Sequence, residues 1–153
     1  MQLAPNLLSR LLLFLAITVS LHGAADTAAS SSVRIELTGL QQSSGNIYIA
    51  VYNSPDDWLG DDTVLQRKVV IADALDGDVV RTEFALPLGE YAFSIFYDAN
   101  NNGKLDTNFI GIPKEPLALS NNAIGKYGPP KYSDAVFKLG TETVVQRLEI
   151  EAL

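Results

Sequence analysis

From Val33 onward the chain is built of short runs with a two-residue hydrophobic period, each closed by a turn signal. Val33-Arg34-Ile35-Glu36-Leu37 alternates apolar and charged residues, the pattern of a half-buried strand. Asn46–Tyr52 (NIYIAVY) sets Ile47, Ile49 and Val51 on one face and Tyr48, Ala50 and Tyr52 on the other. These two runs, parted by the turn material Gln41–Gly45, are expected to pair as a hairpin. Further strands are predicted over 68–72, 79–86, 91–97, 135–139 and 143–152, with Asp76-Gly77-Asp78 as a hairpin turn. Tyr91, Phe93, Ile95 and Tyr97 share one face, which makes 91–97 a central strand. Ser54-Pro55-Asp56-Asp57-Trp58 has the cap, proline and acids of a helix start, but Gly60 limits it to one turn. The expected fold is all-β: an antiparallel β-sandwich of about seven strands with one long Asn/Gly/Pro-rich loop after the central strand.

The segment before these strands reads differently. Arg10 precedes the apolar run Leu11–Leu21, which gives way to His22-Gly23-Ala24-Ala25. A positive flank, a short apolar stretch and small exit residues describe a secretory signal peptide over 1–25. The run is shorter than the roughly 20 apolar residues a bilayer span requires. Residues 26–32 (DTAASSS) read as a flexible leader and 33–153 as a single domain. The expected location is periplasmic or extracellular.

Removal of the signal takes away Met1, His22 and Arg10, so the formal charge of −7 becomes −8. With no cysteine in the chain and no histidine left, disulfides, thiol nucleophiles, Ser-His-Asp catalysis and His-bound transition metals are excluded. The acidic balance argues against nucleic acid and anionic surfaces, and no membrane insertion is expected after signal removal. Oxygen ligands remain for a hard cation.

Such oxygens recur in Asp98-Ala99-Asn100-Asn101-Asn102-Gly103-Lys104-Leu105-Asp106, which sets Asp98, Asn100, Asn102 and Asp106 at loop positions 1, 3, 5 and 9. Gly103 stands at position 6, where an EF-hand-type loop turns sharply, and Lys104 can offer its carbonyl. Phe109 occupies position 12, where a bidentate glutamate would stand, leaving Asn108 or Glu115 to supply a further oxygen. The metal candidates are therefore Asp98, Asn100, Asn102, Lys104 and Asp106, and the expected cofactor is weakly bound structural Ca²⁺, with Kd about 10⁻⁴–10⁻³ M. The competing reading is a metal-free turn in which the same Asp and Asn side chains cap backbone donors.

Downstream, Phe109, Ile112 and Leu117 are expected to anchor the long loop over a sheet edge. Tyr127, Tyr132 and Trp58 form a candidate ligand surface for a glycan or small molecule, against the plainer reading of loop packing and a Trp lid on the core. Asp56, Asp57, Asp61 and Asp62 read as a solvated face.

The runs LPLGEYAFSIFYDANNNGKLDTNFIGIPKEP and SNNAIGKYGPPKYSDAVFKL, taken together, resemble the exported bacterial domain-of-unknown-function family 2141. The shared pattern is a proline-glycine turn, a strand ending in Asp, an Asn/Gly loop ending Leu-Asp, then Gly-Ile-Pro-Lys-Glu and a Gly-Pro-Pro segment. The resemblance covers essentially 33–153 and implies a small exported β-sandwich similar to transthyretin-like or immunoglobulin-like modules, without an established activity. The functional expectation is a non-enzymatic binding or structural module whose partner is an extracytoplasmic protein or glycan. A carbohydrate or small-molecule binder is the alternative, followed by a hydrolase using Asp98 and Asp106 as paired carboxylates.

Overall fold

The computed structural model describes residues 28–151; the signal-peptide expectation for 1–25 lies outside them. Nine strands form two sheets among these residues, so the fold is all-β. In chain order they are β1 Ser30–Thr38, β2 Asn46–Tyr52, β3 Leu65–Val70, β4 Leu75–Asp76, β5 Val79–Pro87, β6 Gly89–Asp98, β7 Leu117–Leu119, β8 Phe137–Leu139 and β9 Val144–Glu149. Two four-residue helices, α1 Ile71–Ala74 and α2 Tyr132–Ala135, and a 3₁₀ turn at Ser120–Asn122 complete the described residues.

One sheet has the order β4-β5-β1-β9 and the other β3-β2-β6-β7, with β8 pairing to the start of β6. The expected β1–β2 hairpin does not form, because the two strands belong to different sheets. Each is a central strand that needs a partner on both edges: β1 finds β5 and β9, and β2 finds β3 and β6. Residues 39–45 carry the chain from one sheet to the other. Nor is the pairing wholly antiparallel, since β1 and β9 run parallel from Val33↔Val144 to Thr38↔Glu149. Strands so far apart in sequence are free of the antiparallel constraint that a short turn imposes. Asp76-Gly77-Asp78 does turn a hairpin, between β4 and β5, with Asp76 opposite Val79.

Alternation places the side chains as the sequence requires. Val33, Ile35 and Leu37 of β1 join Ile47, Ile49 and Val51 of β2 and Phe93 and Ile95 of β6 in one buried cluster fed by both sheets. The charged residues of β1 face outward, where Arg34 meets Glu83 at 2.9 Å and Glu36 meets Arg147 at 3.0 Å across neighbouring strands. β1 begins at Ser30, within the segment read as a leader, because Ser30–Ser32 find backbone partners in Ala85–Pro87. The two strands beyond the expected number are β4 and β7, each only two or three residues long. β7 divides the long segment after β6. It runs back along β6, with Ser94 opposite Leu119 and Phe96 opposite Leu117. That return separates the segment into a part near the end of β6 and a part near its beginning.

Candidate functional site

The calcium-like loop leaves the end of β6, where strand pairing opposite Asn46 stops at Asp98. Asp98 is fully buried. Its Oδ1 accepts the N–H of Asn102 at 3.1 Å and its Oδ2 that of Gly103 at 2.9 Å, so one carboxylate caps both donors of the turn. Asn100 Oδ1 also accepts the Asn102 N–H, at 3.0 Å, and Asn102 Oδ1 accepts the Lys104 N–H at 2.8 Å. These are local side-chain-to-backbone bonds that Asn and Asp make in preference to regular structure. Gly103 has φ 75, a left-handed conformation that L side chains rarely adopt.

Asp106 closes the circle. Its Oδ2 accepts from Asn100 Nδ2 at 2.6 Å and its Oδ1 from Asn102 Nδ2 at 3.1 Å. Four of the five predicted ligand residues, Asp98, Asn100, Asn102 and Asp106, thus meet around one small loop. The fifth, Lys104, is exposed. Asn46 of β2 ties the loop to the sheet, donating from Nδ2 to Asn101 Oδ1 at 2.6 Å.

Of the two further oxygen donors the sequence offered, the fold brings in Glu115 and not Asn108. Glu115 is 5% exposed, and its carboxylate accepts the Ala99 N–H at 3.0 Å through one oxygen and the Asp106 N–H at 3.0 Å through the other. It pins the second and last residues of the loop together. Asn108 instead closes the next turn, its Oδ1 accepting the N–H groups of Ile110 and Ile112, both at 3.0 Å. Among the described residues no three His, Cys, Asp or Glu side chains are grouped so as to share a metal. The oxygen set here consists of carboxylates and asparagine amides.

That second turn overturns the anchoring expected of Phe109 and Ile112. Phe109 is 98% exposed, Ile110 64% and Ile112 47%. Backbone bonds from Asn108 N–H to the Ile112 carbonyl at 2.8 Å and from Lys114 N–H to the Asp106 carbonyl at 2.8 Å build a tight hairpin. Leu117 alone of the three lies against a sheet, in β7.

The aromatic candidates lie toward the opposite end of β6. Trp58 is half-buried in the turn after β2, and its Nε1–H donates to the Pro130 carbonyl at 2.9 Å. Its ring meets Tyr52 edge-on at 5.2 Å and Tyr132 at 5.9 Å. Trp58 and Tyr132 therefore clasp the turn after β2 to the Gly-Pro-Pro segment. Burial raises the Tyr132 hydroxyl pKa above its ordinary value, Glu90 adding to the effect. That hydroxyl oxygen is buried without a hydrogen-bond partner among the described residues. Tyr52, also buried, is likewise raised by desolvation, against a lowering hydrogen bond from Ser94, with Asp61 raising it further. Tyr127 is fully exposed at an open depression of about 580 Å³ formed by 124–131 and Asp134.

One aromatic pair escaped the sequence reading. Tyr48 and Phe96, cross-strand neighbours on β2 and β6, stack at 5.1 Å with an interplanar angle of 9°. Lys68, paired with Tyr48 from β3, places its Nζ 5.8 Å from the centre of the Tyr48 ring. Alternation of NIYIAVY put Tyr48 on the outer face, but only strand pairing reveals its partners.

The family model described as an uncharacterized protein conserved in bacteria (DUF2141) matches residues 35–147, and the chain belongs to that family. No curated protein and no solved structure matches it.

Proposed function

We propose that this member of a family without an assigned activity is an exported, non-enzymatic binding or structural module, a β-sandwich whose 98–106 loop is organised by a weakly held calcium ion. The observation that carries the reading is the convergence of Asp98, Asn100, Asn102 and Asp106 on one loop, with Asp98 already fixed by two backbone N–H groups. The amides of Asn100 and Asn102 point N–H at Asp106; a cation in their midst would draw the Asn and Asp oxygens inward instead. Such a site brings few full charges, which matches the weak end of extracellular calcium affinities, about 10⁻⁴–10⁻³ M. The partner would be an extracytoplasmic protein or glycan, and the signal would be cut near Ala25, so the exported chain would begin near Asp26.

Thermal unfolding in EDTA, in Mg²⁺ and in Ca²⁺ tests this. With Kd near 1 mM, Ca²⁺ at about 10 mM adds about 1.4 kcal/mol, several degrees for a domain of this size. Asp106→Ala should remove the Ca²⁺-selective shift; an equal shift with and without Asp106 would mean that the ligands are misassigned.

A second reading, a carbohydrate or small-molecule binder, draws on the exposed Tyr127 beside its open depression. Trp58 and Tyr132 are less available to it, being engaged with each other and with Tyr52. A glycan screen with no hit, or one indifferent to Tyr127→Ala, would dismiss it. A hydrolase using Asp98 and Asp106 has the least support, because Asp98 is sealed from solvent.

A further inference from the structure

We propose that Asn102 is a modification site, a deamidation switch that the closed 98–106 loop holds off and that converts to aspartate or isoaspartate when the loop opens. Asn102-Gly103 is the one Asn-Gly dipeptide in the chain. Glycine has no side chain to screen its backbone nitrogen, so that nitrogen approaches the preceding carboxamide more closely than any other residue allows. Both residues are exposed, so water reaches the site.

The chemistry needs only water. The Gly103 nitrogen attacks Cγ of Asn102, and the new C–N bond closes a cyclic imide. The Cγ–Nδ2 bond breaks, and Nδ2 leaves as ammonia with a proton in exchange for the one that the Gly103 nitrogen gives to water. A water molecule then adds to either ring carbonyl and breaks its bond to nitrogen, leaving aspartate or isoaspartate.

Each partner in that reaction is tied down while the loop is closed. The Gly103 N–H donates to Asp98 Oδ2 at 2.9 Å, and Asp98 is fully buried. Stripping that proton would set a second negative charge against the carboxylate, which burial penalises. The Asn102 carboxamide is held at both ends, Oδ1 accepting the Lys104 N–H at 2.8 Å and Nδ2 donating to Asp106 Oδ1 at 3.1 Å. The N–H of Asn102 itself is fixed by Asp98 Oδ1 at 3.1 Å and Asn100 Oδ1 at 3.0 Å. Ring closure requires the carboxamide to swing onto the Gly103 nitrogen, a rotation that these bonds oppose.

Conversion runs one way, and it changes the loop. Aspartate in this position sets a carboxylate where an amide donated to Asp106, so an attraction becomes a repulsion between like charges. Isoaspartate adds a methylene to the backbone and displaces the N–H groups that Asp98 caps. A loop that has stayed open long enough to convert does not reclose in the same way, which makes it a record of its own opening. The proposal goes beyond the module reading and does not depend on calcium.

The test is peptide mass spectrometry of Asn102 after the purified protein is incubated with EDTA in mildly alkaline buffer, folded and in urea. In urea Asn102 should convert faster than any other asparagine, and folding should slow it roughly tenfold or more, as closure protects backbone amides from exchange. Asp106→Ala frees the carboxamide and Asp98→Ala frees the Gly103 N–H; each should speed conversion in the folded protein roughly fivefold or more. Hydrogen exchange at the core amide of Ile49 should stay slow in the same variants, which separates local opening from unfolding. If Asp98→Ala loses that core protection, Asp106→Ala decides alone. Equal rates in folded and unfolded protein overturn the proposal, as does faster conversion of another asparagine in urea or a folded rate that Asp106→Ala leaves unchanged. Because EDTA is present throughout, failure here leaves the calcium reading to its own test.

Discussion

Replacing Asp98 by alanine isolates what holds the 98–106 loop. The carboxylate is fully buried and satisfies the Asn102 and Gly103 N–H groups at 3.1 and 2.9 Å. Leaving a buried donor without its partner costs about 1–3 kcal/mol. Asn102 and Gly103 themselves are exposed, so water can recover part of that loss, and Asn100 Oδ1 still accepts the Asn102 N–H. The net expectation is about 1–3 kcal/mol, or a fall in midpoint of roughly 3–12 °C for a domain of this length. Urea unfolding in EDTA, followed by the fluorescence of the single tryptophan, Trp58, measures it without any cation contribution. Asp98→Asn is the informative companion, because its carboxamide keeps one acceptor and sets an N–H₂ against the other donor. It should lose at least half as much as alanine. A loss below about 1 kcal/mol for Asp98→Ala would refute the assignment of this carboxylate as the loop's structural centre.

Three further outcomes follow from the geometry. A Cβ on Gly125 would overlap the Gly128 carbonyl oxygen, so Gly125→Ala should force the 124–131 segment open; limited proteolysis should cut there faster than in wild type, and an equal rate would contradict it. Tyr52 and Tyr132 both have raised pKa values, so each favours its neutral form more strongly when folded. Their stabilisation is complete below the unfolded value of 10.0 and is lost as pH climbs through the folded values; Tyr52→Phe should flatten the fall in unfolding midpoint above pH 10.0, whereas an unaltered slope would refute the link. Glu115→Ala should free the Ala99 and Asp106 N–H groups, with hydrogen exchange at both rising by roughly tenfold or more while core amides such as that of Ile49 keep their protection.

The all-β class was legible because the central strands β2 and β6 each bury one face, which imposes a two-residue period that no helix shares. Sheet membership was not. Val33–Leu37 and Asn46–Tyr52 look like hairpin partners on period alone, and only the need of both strands for two neighbours sends them to different sheets. Ile71 and Ala72 end the run KVVIA, yet they open the helical turn Ile71–Ala74, since a short apolar run does not distinguish helix from strand. The candidate site divides in the same way. The spacing of Asp98, Asn100, Asn102 and Asp106 points either to a calcium loop or to a turn capped by the same side chains, and in the structure Asp98, Asn100 and Asn102 accept the loop's own backbone N–H groups. The reach of Glu115 back to Ala99 spans residues whose proximity the local pattern does not encode. Phe109 reads as an anchor by hydropathy alone. It stands in solvent because Asn108 closes a turn that faces it away from the core.

The calcium claim is tested most directly by following backbone amide resonances while EDTA-stripped protein is titrated with Ca²⁺ and, separately, with Mg²⁺. The account predicts saturable shifts at Ala99, Asn102, Gly103, Lys104 and Asp106, half complete at about 0.1–1 mM Ca²⁺, with little response to Mg²⁺. An absence of saturable shifts in 98–106 up to about 10 mM Ca²⁺, a concentration at which a 1 mM site would be about nine-tenths filled, would contradict it and leave the loop as a self-capped turn.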